Sequence, residues 1–192
     1  MADKKSRNLL SSNRLYVGKY SEYFIELEQG KIESLSDGKS DAKSKVYVQA
    51  TEGGVYKAKP DGDLIPSIKD QKKCDYLIYA QNKPQLCFFE LKGKEISKAF
   101  VQILDTINYL EGEEDLKSIF KNQVELHAFI VSPCSQNIPK DVNSKERYLW
   151  RKLKGADHIH FVRVVPKAIY SDKQRKMICS DKSPILLPYI ST

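Results

Sequence analysis

Apolar residues recur at three- and four-residue spacing through Ile96, Ala99, Phe100, Ile103, Ile107 and Leu110, the clearest periodicity in the chain. That stripe predicts an amphipathic helix starting near Glu95 and ending at Gly112. Two nearly unbroken apolar runs precede it, residues 76–80 (YLIYA) and 85–91 (QLCFFEL), with QNKP between them. Runs of this kind predict strands buried on both faces, and QNKP supplies turn chemistry, so the two strands pair. Gly93 lets the chain bend away after the second strand. Farther along, residues 124–131 (VELHAFIV) read as another buried strand, stopped by Ser132 and Pro133. Residues 143–154 read as a helix with Tyr148, Leu149, Trp150 and Leu153 as its apolar members, and residues 158–165 (HIHFVRVV) as a further strand.

The first third of the chain is less periodic. Residues 23–35 (YFIELEQGKIESL) fit a hairpin turning at Gln29-Gly30, with Ile25 and Leu27 on one face, slightly better than a helix. Residues 36–45 are a polar loop, and residues 46–50 (VYVQA) a short strand ended by Gly53-Gly54. Residues 55–59 are expected to return antiparallel to it. Two prolines and a glycine keep residues 59–73 from forming one long element. Three prolines after Val165 make the tail read as irregular. The expected organisation is a basic N-terminal arm (1–14), one domain (15–170) and a C-terminal extension (171–192). A strand pair, a helix and a further strand imply an α/β fold, a mixed central sheet flanked by helices.

At 192 residues the chain can bury a core of ordinary size, and its 41% hydrophobic and 30% charged content is that of a folded globular protein. The net charge of +7 favours polyanionic partners, nucleic acid first. No apolar run approaches the ~20 residues that span a bilayer, and the basic start lacks the apolar stretch of a secretory signal. The four cysteines are far apart and fall mostly in apolar runs, as reduced thiols of a cytoplasmic protein would.

The candidate chemistry sits on the strand pair. Asp75 opens its first strand; Glu90 and Lys92 lie two apart at the end of its second, side by side on one face, with Leu91 turned to the core. Two carboxylates meeting at one sheet edge suit Mg²⁺, which takes one or two protein carboxylates and fills its other positions with water and phosphate oxygens. A neighbouring lysine can orient or deprotonate an attacking water. Asp75 before YLIY, Glu90-Leu91-Lys92 after CFF, and a following helix carrying Gln102 resemble the PD-(D/E)xK nuclease superfamily, the restriction endonuclease-like fold.

That resemblance implies Asp75 and Glu90 as metal ligands, Lys92 as the catalytic lysine and Gln102 as an auxiliary. It also implies Mg²⁺, with Mn²⁺ able to substitute, double-stranded DNA as the substrate, and a homodimer, common among small members. In some branches a Tyr follows the Gln by four residues. Thr106 stands there in this chain, and Tyr109, seven after Gln102, shares its helix face. The superfamily often adds an upstream Glu; Glu22, Glu26 and Glu33 are candidates, with Glu26 favoured. Asp61 and Asp63 compete with Asp75 but lie in a Gly- and Pro-rich loop.

Arg147, Arg151, Lys152 and Lys154, interleaved with Tyr148 and Trp150, form a candidate nucleic-acid-binding helix, balanced against a solvated amphipathic one. Residues 69–73 (KDQKK) and 173–176 (KQRK) are further basic clusters. His158 and His160 share a strand face, but no third ligand is visible beside them, so they read as partly buried polar residues. The expected function is a Mg²⁺-dependent endonuclease acting on DNA. The alternatives are an RNA-cleaving or ligand-activated enzyme with the same core, or a non-catalytic nucleic-acid-binding protein.

Overall fold

The computed structural model describes residues 15–36, 45–67, 70–92, 96–120, 124–132, 143–154, 158–164 and 176–189. The 1–14 arm, most of the 173–176 cluster and Cys134 lie outside them. In chain order the strands are β1 (Ile25–Glu26), β2 (Ile32–Ser36), β3 (Lys45–Ala50), β4 (Val55–Ala58), β5 (Tyr76–Ala80), β6 (Gln85–Leu91), β7 (Glu125–Ser132), β8 (Ile159–Val164), β9 (Lys176–Cys179) and β10 (Ile185–Leu187). Helix α1 (Ile96–Gly112) joins β6 to β7, and α2 (Asn143–Leu153) joins β7 to β8. Short turns of helix cover Gly18–Tyr23 and Glu114–Phe120, and an irregular turn covers Pro60–Leu64.

A seven-stranded mixed sheet runs β1-β4-β5-β6-β7-β8-β9, and a three-stranded sheet runs β10-β3-β2. β1, β4, β5 and β6 pair antiparallel, whereas β6 through β9 pair parallel. Parallel neighbours need a crossover, and α1 and α2 provide two of them. Both helices pack on one face of the large sheet, where Ile103, Ile107 and Leu149 meet Leu86, Phe88, Ala128 and Ile130. The small sheet covers the other face, with Leu35, Val48 and Leu187 against Cys87, Phe89 and Phe129. The result is three layers, and every residue of β5 and β6 is buried. Among the described residues no helix is long and apolar enough to cross a membrane.

The strand pair, its 81–84 turn and α1 form as the apolar pattern predicts. Three expectations do not hold. Residues 29–30 do turn, with Gly30 at φ +79°, but the flanking strands are no hairpin: β1 pairs with β4 and β2 with β3. Ile25 and Leu27 also part company, Ile25 exposed and Leu27 buried. β4 does not return on β3; it pairs with β1 and β5, so Gly53-Gly54 hands the chain from one sheet to the other. The tail is not wholly irregular either. β9 extends the large sheet and β10 lies parallel to β3.

The tail is tied down by Gln85, a buried side chain at the start of β6. Its Nε2 donates to the Tyr189 carbonyl (2.7 Å) and to Glu125 Oε2 (3.0 Å), and its Oε1 accepts from the Tyr189 N–H (2.7 Å). Gln85→Ala strands both Tyr189 backbone groups, so a loss of roughly 1–3 kcal/mol is expected in urea unfolding. A loss below ~0.5 kcal/mol would mean that water satisfies these groups equally well.

Candidate active site

The β5–β6 register pairs Tyr76 with Phe89, so one step farther Asp75 stands opposite Glu90. Leu86 and Phe88 face the helical layer, and strand alternation aims Glu90 and Lys92 the same way, while Leu91 turns to the small sheet. Asp75 is held by its own strand partner: the Leu91 N–H donates to Asp75 Oδ2 at 2.7 Å. Lys92 Nζ is 2.6 Å from Glu90 Oε1, and the Lys92 N–H donates to the Val131 carbonyl at 2.7 Å. The predicted trio Asp75, Glu90 and Lys92 therefore converges at one end of the large sheet.

Glu90 is fully buried, and its Oε2 has no hydrogen-bond partner among the described residues. Burial, reinforced by the Asp75 charge and opposed by Lys92, pushes its carboxyl up to about 8. A buried, donor-poor carboxylate beside a second carboxylate is poorly served by one lysine, and a hard cation would complete its surroundings. The donor set fits Mg²⁺ or Mn²⁺, with Asp75 and Glu90 as the residues that would hold it. Among the described residues no group of three or more acidic, histidine or cysteine side chains is placed so that it could hold a metal ion.

The other candidates divide. Gln102 reaches the strand leading into the site, its Nε2 donating to the Lys73 carbonyl at 2.8 Å. Tyr109 lies about 10 Å farther down α1, beside Tyr20 and Glu113, whose own hydrogen bond is 2.6 Å. It is not brought to the trio. Nor is Glu26: it pairs with Tyr56, which pairs with Tyr79, which pairs with Leu86, four residues along β6 from Glu90. That is about 13 Å along the strand and three strands across, and its Oε1 accepts instead from the Gly54 N–H (3.0 Å). Glu33 is paired with Lys57. Glu22 lines a cavity of about 560 Å³ with Gly62, Ile65 and Ser67. Asp61 sits in the Pro60–Leu64 turn, its N–H donating to the Cys74 carbonyl at 3.2 Å.

The basic groups are spread out. Lys73 is buried and donates to the Ile65 carbonyl at 3.0 Å, so it belongs to the core and not to a surface cluster. Lys152 pairs with Glu111 at the C-terminal end of α1, which places the end of α2, with exposed Lys154, away from the acids. Arg147 and Tyr148 are exposed, and Arg151 stacks over the Tyr148 ring at 5.9 Å.

One grouping was invisible in the sequence. All three histidines meet on the small-sheet face, near the opposite end of the strands. His127 Nδ1 is 3.2 Å from His160 Nε2, His127 and His158 stack at 4.7 Å, and Tyr189 lies 4.5 Å from His160. Only the parallel β7–β8 register, which sets Phe129 beside His160, reveals His127 as their neighbour. Burial, then the other two rings, holds His160 down at about 3, and His127 is lowered as well.

No protein-family model, no curated protein and no solved structure matches this chain. What is established is a mixed α/β architecture carrying an Asp–Glu–Lys trio at one end of two interior strands of the large sheet.

Two titrations test these environments. Glu90 has a folded value above its unfolded one, so its contribution to stability is present at low pH and is lost as pH rises through about 8. Glu90→Gln should therefore raise Tm at pH 9, by roughly 2–4 °C for each ~1 kcal/mol gained, with the gain shrinking toward pH 5. A pH-independent difference would contradict the shifted carboxyl. His160 has the reverse sign: its stabilisation is present above ~6.5 and drains away as pH falls toward about 3. The Tm deficit of His160→Gln relative to wild type should narrow or invert between pH 7.5 and 5; a constant deficit would show that the ring titrates normally.

Proposed function

We propose that this chain is a metal-dependent nuclease of the restriction endonuclease-like fold, cleaving phosphodiester bonds in DNA. The observation that carries the reading is the meeting of Asp75, buried Glu90 and Lys92 at the end of the β5–β6 pair. The mixed sheet, with α1 following the Glu-Leu-Lys strand, supports it, as does the net charge of +7 toward a polyanion.

Asp75 and Glu90 would hold the cation, which supplies Lewis-acid polarisation of the phosphoryl group and a more acidic bound water. The chain's own groups do the rest. Leu91 N–H fixes one Asp75 oxygen, so the ligand pair is set before substrate arrives. Lys92, about one-fifth exposed at its side chain, has its ammonium on Glu90 and an outlet toward solvent. From there it orients the attacking water and stabilises charge on the phosphate oxygens. Glu90 would have to be deprotonated to hold the ion, so binding would be coupled to proton release near neutral pH. Gln102 contributes by holding the Lys73 carbonyl, while the exposed Arg147, Tyr148 and Arg151 offer phosphate and stacking contacts.

Supercoiled plasmid incubated with the protein in Mg²⁺ or Mn²⁺ should be nicked or linearised, with activity rising as pH approaches 8. Lys92→Ala should cut the rate at least ~100-fold. Undiminished cleavage by that variant would sink the assignment. Cleavage of RNA alone would move the substrate, and salt-sensitive binding of both nucleic acids without cutting would favour a binding protein.

A further inference from the structure

Residues 71–74 run along α1 as an extended strap that ends at Asp75, and the helix grips the strap at successive points. Gln71 Nε2 donates to the Asp105 carbonyl at 3.3 Å, Gln102 Nε2 to the Lys73 carbonyl at 2.8 Å, and the Cys74 N–H to Thr106 Oγ1 at 2.8 Å. Thr106 is fully buried, and its hydroxyl also donates to the Gln102 carbonyl at 2.7 Å. Its single hydroxyl proton is thus committed to the helix, which leaves the oxygen lone pairs to face the Cys74 N–H. This contact is the last one that α1 makes before the acid.

We infer that Thr106 is a positioning residue for the metal-binding pair, fixing the backbone at Cys74 so that Asp75 meets Glu90 across the strand ladder. The inference rests on the metal-site reading above, since it concerns how that site is aimed. Thr106 bonds the Cys74 and Gln102 backbone and also meets the Cys74 thiol, and it reaches the chemistry through the strap. The chain has a threonine where a tyrosine stands in the branch pattern noted above. A tyrosine hydroxyl would lie several ångströms farther from the helix, whereas Oγ1 sits close enough to take the strap's N–H directly. Supporting groups behind ligands of this kind typically change metal affinity or activity by about 10- to 100-fold when removed.

The test uses Thr106→Val, which keeps the side-chain shape and deletes the hydroxyl, and Thr106→Ser, which restores it. Mn²⁺ affinity is measured by calorimetry, and exchange of the Leu91 amide hydrogen by NMR in the metal-free chain. The expected result is Mn²⁺ binding at least about tenfold weaker in Thr106→Val, faster Leu91 exchange because the Asp75 acceptor has drifted, and near-wild-type behaviour in Thr106→Ser. Should Thr106→Val not fold, Gln102→Ala removes the adjacent rung on a half-buried residue, and the same two readouts apply. A folded variant with wild-type Mn²⁺ affinity and wild-type Leu91 exchange overturns the positioning role. Wild-type protein that takes up no Mn²⁺ overturns the metal reading itself, a distinct failure seen before any variant is compared.

Discussion

Glu90 is a carboxylate at the end of a strand with no exposed residue, facing a second carboxylate across the ladder. Moving an ionised group out of water costs several kcal/mol unless partners replace the lost hydration. Here one ammonium approaches Oε1, and Oε2 has no hydrogen-bond partner among the described residues. Burial therefore leaves the proton on this carboxyl up to about pH 8, and its placement depends on rigid surroundings. Three layers supply them, since β6, like its neighbours β5 and β7, is covered by the helices on one face and by the small sheet on the other.

The architecture around that strand follows from pairing rules. β6 is the switch point of the sheet, antiparallel to β5 on one side and parallel to β7 on the other. The antiparallel neighbour arrives through a tight turn and brings Asp75 back to the level of Glu90. The parallel neighbour can be reached only through a crossover, so α1 must leave from the same end of the sheet that carries the acids. One strand thereby receives an acid from the hairpin side and a supporting helix from the crossover side. Gln102 and Thr106 project from that helix onto the segment that delivers the acid.

What the sequence disclosed, and what it did not, divides along the range of the interactions. Tyr76–Ala80, Gln85–Leu91 and Ile96–Gly112 are buried strands and an amphipathic helix with unmistakable local pattern, and Asp75, Glu90 and Lys92 ride on them. Residues 25–36 carry the same alternation and turn chemistry as a hairpin, yet β1 and β2 are taken by different sheets. Partner choice is decided by Lys57 and Tyr56 on one side and by the β3 residues on the other, which no local window contains. β10 is only Ile185–Leu187, too short to show a period before its partner is known. The resemblance points to Glu26 as an upstream acid, but β1 lies at the sheet's far edge. His127 sits in an apolar run where nothing marks it as the neighbour of two histidines more than thirty positions away.

The parallel pairing of β10 with β3 has a consequence for how the molecule assembles. β5, β6, α1 and β7 are contiguous, so the helix-covered face, acids included, can form from contacts of modest sequence separation. The small sheet cannot: its central strand has Val48 across from Ile185, and its anchor joins Gln85 to Tyr189. Contacts of such long range are slow to close, because the intervening chain must be ordered first. On a ribosome β2 and β3 therefore meet Cys87, Phe89 and Phe129 before their parallel partner β10 has been made, and that cover stays incomplete, open to aggregation, during the interval.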